Sequence, residues 1–209
     1  MKTIYFIRHG QTQWNKLLKL QGQKNSKLTQ EGRDQAQNLS SQLQSLSIEL
    51  LISSPLGRAL ETSAILLPKI EIIKNPLLSE MHFGTAEGLD KEVFKEQYPE
   101  EVQNLWTNAP QYDPRAYNGE TFISLQKRAQ NFLDALATTK ESTIAVVAHG
   151  LILKMIFLLI NNESLENFWE TPVPQNTSIT TVSYSAECYT IEEFSNTAHL
   201  TDTKTISYL

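Results

Sequence analysis

The chain of 209 residues carries 18 lysines and arginines against 23 aspartates and glutamates, a net charge of −5. That balance argues against a general nucleic-acid or anionic-membrane binder, which would show a basic excess. It leaves room for a small anionic substrate held by a local cluster of cations. With 40% hydrophobic residues, a chain this long buries a core without disulfides or metals. The single cysteine, Cys188, excludes an internal disulfide and any multi-cysteine metal site, and reads as a lone buried thiol.

Taken in chain order, the opening residues do not resemble a secretory leader: the short run Thr3–Ile7 gives way at once to Arg8 and His9. Thr3–Ile7 is apolar on both faces, the mark of a central strand covered on both sides. Thr29 is placed to cap a helix with Ala36, Leu39, Leu43 and Leu46 on its apolar face. Glu49–Ile52 reads as a second strand. Ser54 and Pro55 then read as N-cap and first helical residue of a helix carrying Leu56, Leu60, Ala64 and Leu67, ended by Pro68. Ile70–Ile73 reads as a third strand.

Residues 85–118 are polar, proline-punctuated and anchored by Trp106 and Tyr112. They are expected to form short helices and a loop inserted over a sheet edge, a cap-like subregion within a single domain spanning residues 1–209. Thr121–Leu136 has the period of an amphipathic helix, with Phe122, Leu125, Ala129, Phe132 and Leu136 on one face. Thr143–Ala148 is another fully apolar strand, followed by a hydrophobic helix. The longest apolar run, Leu151–Ile160, is broken by Lys154 and is far short of the ~20 residues of a membrane span. Ile179–Tyr184 and Tyr189–Phe194 read as a final hairpin, and the tail beyond Asn196 is weakly patterned. Strands alternating with helices predict an α/β fold: a mostly parallel central sheet with helices on both faces. A cytoplasmic protein with no nucleic-acid or membrane partner is expected, so the N-x-S/T triplets at Asn38, Asn162 and Asn176 read as chance matches.

Two strands end alike, one in Arg8-His9-Gly10 and the other in His149-Gly150. Ligands of open α/β sheets bind beyond the carboxyl ends of the strands, so the two histidines are candidates for one site or, alternatively, strand-end histidines without partners. Glycine after each lets the backbone turn sharply and a ligand approach closely. Only four histidines are present, His9, His82, His149 and His199, with no H-E-x-x-H and a lone cysteine, which speaks against a zinc site. Arg8 beside His9 favours neutral imidazole, the form a nucleophile needs. Arginine also grips phosphate oxygens with a planar fork. The pair points to phosphoryl chemistry.

Arg8-His9-Gly10-Gln11-Thr12-x-Trp14-Asn15 resembles the opening motif of the histidine phosphatase superfamily, the superfamily of the cofactor-dependent phosphoglycerate mutases. Further blocks resemble it in family order over residues 3–178: Lys19–Gly22 with Leu28–Gly32, Ser53–Thr62, Glu80–Gly84 with Glu87-Gly88, Asn118–Thr121, and Val146–Gly150. The resemblance implies that His9 is the nucleophile and forms a phosphohistidine. Arg8, Arg58 and His149 would surround the phosphoryl group. Asn15, Gln21, Gly22 and Gly150 would add hydrogen bonds, and Glu80 would serve as acid and then base. No cofactor or metal is implied. Gln11 stands where the family often has glutamate and removes a negative charge near the site. Lys19 stands where it often has arginine, keeping the charge and losing the fork. Neither touches the nucleophile or the acid, so a shift in substrate preference is the expected consequence.

The length and the 85–118 insertion favour hydrolysis of a small phosphorylated metabolite, with Trp106, Tyr112, Arg115 and Tyr117 as candidate pocket residues. The alternatives are a phosphoglycerate mutase and a catalytically silent phospho-ligand-binding member. His82 is a candidate for lining the pocket or for packing, and His199 for the surface. Monomer and homodimer both fit.

Overall fold

The structure, a computed structural model, describes residues 1–200; the end of the tail lies outside the described residues. Six strands form one sheet in the order β3-β2-β4-β1-β5-β6. Strands β1 (Lys2–Arg8), β2 (Leu50–Ser53), β3 (Ile72–Lys74) and β4 (Thr143–Ala148) pair in parallel. The hairpin of β5 (Ile179–Ser185) and β6 (Cys188–Asn196) adds antiparallel to β1. The mixed, mostly parallel sheet is the expected one.

Alternation along the strands divides the core in two. Ile4 and Phe6 of β1 and Ile144, Val146 and Ala148 of β4 pack on one face, against α6 (Phe122–Ala137) and α7 (Gly150–Ile160). Ile7, Ala145 and Val147 face the other way, against α2 (Gln30–Gln44) and α3 (Gly57–Leu66). Covering both faces is what makes these strands read as continuous apolar runs. It also creates a switch point: β1 feeds helix α2 on one face, and its neighbour β4 feeds α7 on the other. The crevice between such diverging connections is where open sheets place ligands.

The caps of α2 and α6 form as the residues predict, with Thr29 accepting from the Gly32 N–H and Thr121 from the Ser124 N–H. Helix α3 departs from expectation. Its N-cap is Leu56 with no side-chain cap, and its buried face is Arg58, Ala59, Thr62, Ser63 and Leu66, while Ala64 is exposed. Apolar spacing predicts a different buried face; this helix turns arginine and hydroxyls inward at the strand-end cleft. The third strand is shorter and later than expected.

Residues 85–118 form α4 (Lys91–Gln97), α5 (Pro99–Thr107) and three short turns of 3₁₀ helix between them and the flanking loops. Phe94, Leu105, Tyr112 and Tyr117 join the core of the α6–α7 face, where aromatic rings meet edge-on, as Tyr112 does on Phe122 at 5.4 Å. Cys188 is exposed at the start of β6, not buried. The preceding Ala186 and Glu187 both have positive φ, the geometry of a tight two-residue hairpin turn, which leaves the next residue at the rim of the sheet. Among the described residues no helix is long and apolar enough to cross a membrane.

Candidate active site

Arg8 pairs in register with Ala148, so His9 and His149 follow side by side at the ends of β1 and β4. Their rings lie 5.0 Å apart between centroids. Gly10 and Gly150 are not in the left-handed region; what Gly10 supplies is close approach. A Cβ there would sit 2.5 Å from the carbonyl oxygen of Gly32, in the first turn of α2. The Gly10 N–H donates to Thr62 Oγ1 on α3 at 3.0 Å. The strand end is thereby wedged against both helices of that face.

Hydrogen bonds set the imidazole tautomers. His9 Nδ1 lies 2.7 Å from its neighbour's carbonyl, Gly10 O. A carbonyl only accepts, so Nδ1 carries the proton and Nε2 holds the lone pair. Arg58 Nε donates toward that lone pair at 3.2 Å and toward His149 Nδ1 at 3.1 Å. His149 Nε2 is left to donate to Ser54 Oγ at 2.7 Å. Ser54, expected to cap a helix, instead orients the second histidine.

Both imidazoles are buried and held well below the ordinary histidine value. For His9 the causes are burial, then the charges of Arg58 and Arg8; for His149 they are burial, then Arg58 and His9. Each ring is neutral in the native protein through the range where it would be protonated in the unfolded chain. Below the unfolded value of about 6.5 the unfolded state therefore binds more protons, and stability falls as pH falls. Each histidine adds up to about 1.4 kcal/mol per pH unit to that slope. Urea unfolding of wild type and His9→Asn between pH 7 and 5 checks this: the variant is expected to show the shallower acid loss.

The Arg58 guanidinium is tied on its other edge to Lys24 O at 2.8 Å and Gly22 O at 2.7 Å. Burial lowers its pKa to about 10, opposed by the charges of Glu80 and Glu87. Arg8 Nη1 donates to Pro174 O at 2.7 Å, and burial brings Arg8 to about 9, opposed by Glu80 and reinforced by Arg58. Both remain cations at neutral pH. The remaining arginines each face a carboxylate: Arg33 with Glu61, Arg115 with Asp113, Arg128 with Glu120. The acidic chain thus concentrates two buried guanidinium groups at the strand ends, Arg58 on the cleft wall and Arg8 behind it, a local positive field suited to a compact anion.

His9, Asn15, Gln21, Gly22, Arg58 and Glu80 line one open cleft. Leu20, Phe83, Trp106 and Leu151 add apolar wall, and Lys19 and Lys91 add charge. Arg8, His149 and Gly150 are buried and are not on that wall; His149 reaches it through Arg58 and the His9 ring. Glu80 is fixed by its backbone neighbours: Oε1 accepts from Met81 and Ile152 at 2.9 and 3.1 Å, and Oε2 from Leu151 at 3.1 Å. The last two are first-turn N–H groups of α7, where a carboxylate is favoured. Asn15 closes a capping box with Thr12 on the short helix α1 (Gln13–Lys16). Gln21 is buried, and its Oε1 has no hydrogen-bond partner.

Several expectations change. Gln11 is buried off the cleft wall, accepting from Thr29 Oγ1 at 2.8 Å, so it braces the α2 cap. Lys19 does line the cleft, with Nζ 3.2 Å from Asp90. Arg115 is exposed and chelates Asp113 two residues away, and so does not reach the cleft. Tyr112 and Tyr117 are core residues, not cleft residues. His82 lies beside Glu87 at 3.8 Å, outside the cleft wall. His199 is half-buried near Thr177 rather than on the open surface. Among the described residues no group of three His, Cys, Asp or Glu side chains is placed to hold a metal ion.

The profile of the histidine phosphatase superfamily, branch 1, matches residues 4–197. The chain belongs to this superfamily. Among its histidine phosphatase relatives, the protein of Proteus mirabilis named "Probable phosphoglycerate mutase GpmB" is 32% identical over 97% of this chain and 96% of its own. Bacillus stearothermophilus YhfR superposes with a TM-score of 0.91, at 29% identity over 95% of this chain and 99% of that one. A phosphoserine phosphatase mutant of Entamoeba histolytica, in complex with phosphoserine, superposes at 0.84, with 28% identity over 96% and 100%.

Three residues of this histidine phosphatase site carried no sequence signal that singled them out. Thr62 sits one turn after Arg58 and accepts from Gly10; its polarity inside a helical run was the only clue. Asn176, whose N-x-S/T triplet carries no hint of it, donates to the His9 carbonyl at 2.9 Å. Glu87, within the Glu87-Gly88 motif, is buried against the 22–24 loop.

Proposed function

We propose that the chain is a metal-independent phosphatase that hydrolyses a small phosphomonoester through a phosphohistidine on His9. The observation that carries this reading is the His9 tautomer: a neutral, buried ring whose Nε2 lone pair faces Arg58, in a cleft whose lining also includes a fixed carboxyl group, Glu80.

In the first step Nε2 attacks phosphorus in line with the leaving oxygen. The N–P bond forms, the P–O bond breaks, and the leaving oxygen takes a proton from Glu80. Glu80 Oε2 holds a single N–H bond and has room for that proton. Arg8 and Arg58 offset charge on the equatorial oxygens, with His149 beside them. The Nδ1–H bond to Gly10 O supports the positive charge that develops on the ring. In the second step water attacks phosphorus, Glu80 takes its proton, and phosphate leaves with His9 restored. The mix of charged groups with the apolar wall of Leu20, Phe83 and Leu151 suits a small phosphorylated molecule, and Lys91 and Trp106 bring residues 85–118 to its wall as a partial cap. The mutase reading draws on the name of the Proteus relative and differs only in the acceptor of the phosphoryl group.

Release of inorganic phosphate from a panel of phosphomonoesters in EDTA tests the proposal. No release, or conversion of 3-phosphoglycerate that requires 2,3-bisphosphoglycerate, would overturn it. Glu80→Gln is expected to lower kcat by about 10²- to 10⁴-fold for alkyl phosphates and much less for nitrophenyl phosphate, whose leaving group needs no proton. Equal losses for both substrates would remove Glu80 from the acid role.

A further inference from the structure

Glu87 is a buried carboxylate, 4% exposed, that the proposed reaction does not use. Its oxygens accept backbone N–H groups from two segments. Oε1 takes Gln23 N at 2.8 Å and Phe83 N at 3.0 Å, and Oε2 takes Lys24 N at 3.0 Å. The Lys24 ammonium closes the loop back on the Glu87 carbonyl at 2.8 Å. A buried carboxylate is tolerated only when its oxygens are satisfied in this way.

What the held loop carries gives the contact its consequence. Gly22 and Lys24, the residues flanking Gln23, present their carbonyls to the two Nη atoms of Arg58. Gly22 has φ +54, and a Cβ there would fall 2.1 Å from Glu87 Oε1. Glycine is required both by the left-handed backbone and by the carboxylate pressed against it. One chain of bonds therefore runs from Glu87 through the 22–24 backbone to the Arg58 fork, and from Arg58 Nε to His9 Nε2.

We infer that Glu87 is a positioning residue for Arg58: it fixes the 22–24 loop so that the Gly22 and Lys24 carbonyls aim the guanidinium at the phosphate. The inference rests on the proposed role of Arg58 as a phosphoryl ligand. In Glu87→Gln one oxygen becomes an amide N–H facing a backbone N–H, so the loop loses an anchor at nearly constant volume.

The test is a double-mutant cycle read by calorimetric titration of inorganic phosphate into wild type, Glu87→Gln, Arg58→Lys and the double variant. Lysine at 58 keeps the charge and loses the fork that the loop holds. Glu87→Gln is expected to weaken phosphate binding about tenfold in the wild-type background and less than about twofold beside Arg58→Lys. A purely structural role would give the same loss in both backgrounds; that result, or no loss in either, overturns the inference. If thermal melts show Glu87→Gln unfolded, Gly22→Ala perturbs the same contact from the loop side and takes its place in the cycle, with the same expectation. The readout needs no turnover. Phosphate binding with the predicted coupling, but no hydrolysis of any ester, would defeat the proposed reaction and leave the role of Glu87 standing. A wild-type protein that binds no phosphate defeats both.

Discussion

Replacing His9 with alanine is expected to lower kcat by on the order of 10⁴-fold or more, while a phosphomonoester still binds. The two halves of that result have separate causes. In the proposed reaction turnover depends on the Nε2 lone pair, and His149, the other imidazole at the strand ends, is oriented with Nδ1 toward Arg58 and Nε2 toward Ser54, off the cleft wall. It cannot substitute without rotating out of both bonds. On the proposed mechanism binding rests on Arg8 and Arg58, whose outer contacts are to the backbone of Pro174, Gly22 and Lys24. The fold should survive because the main chain of His9 makes the structural bonds: its N–H reaches Ala148 O at 3.0 Å and its carbonyl accepts from Asn176. Single-turnover kinetics and phosphate titration on the same preparation separate the two. Loss of binding equal to the loss of rate would mean that the ring is a ligand and not the nucleophile.

Arg58→Ala is expected to be the next most damaging change, by about 10³-fold in kcat/KM. One side chain removes a charge from the phosphate, a donor from both histidines and a tether from the 22–24 loop. Its signature beyond the rate is a pH shift. The Arg58 charge is the second cause, after burial, of the low pKa of His9. Removing it lets the ring protonate at higher pH, so the acid limb of kcat/KM should move upward. A rate loss with an unmoved acid limb would place Arg58 away from the nucleophile.

The sheet and its two buried strand ends were legible because burial on both faces forces continuous apolar runs, and Thr3–Ile7 and Thr143–Ala148 have them. The helices α2 and α6 were legible from threonine caps and apolar period. Helix α3 misled because the residues it buries are Arg58, Thr62 and Ser63; function overrode the pattern that reports packing. The site residues His9, Arg58 and Glu80 were placed by motif resemblance, and the structure gathers them on one wall. Residues whose contribution lies in a backbone contact, such as Glu87 bonding loop N–H groups or Pro174 offering a carbonyl to Arg8, leave almost no trace in residue type. Arg115 shows the converse error: an arginine in the insertion suggested the pocket, but an aspartate two residues away claims it at the surface.

The central claim is a covalent intermediate on His9, and the most direct measurement is to trap it. Protein mixed with a slowly hydrolysed phosphomonoester, quenched in alkali and digested for peptide mass spectrometry, should carry one phosphoryl group on the peptide containing His9. That label should vanish on acid treatment and be absent from His9→Ala. Steady release of phosphate with no such label, or a label on any other side chain, would contradict the account.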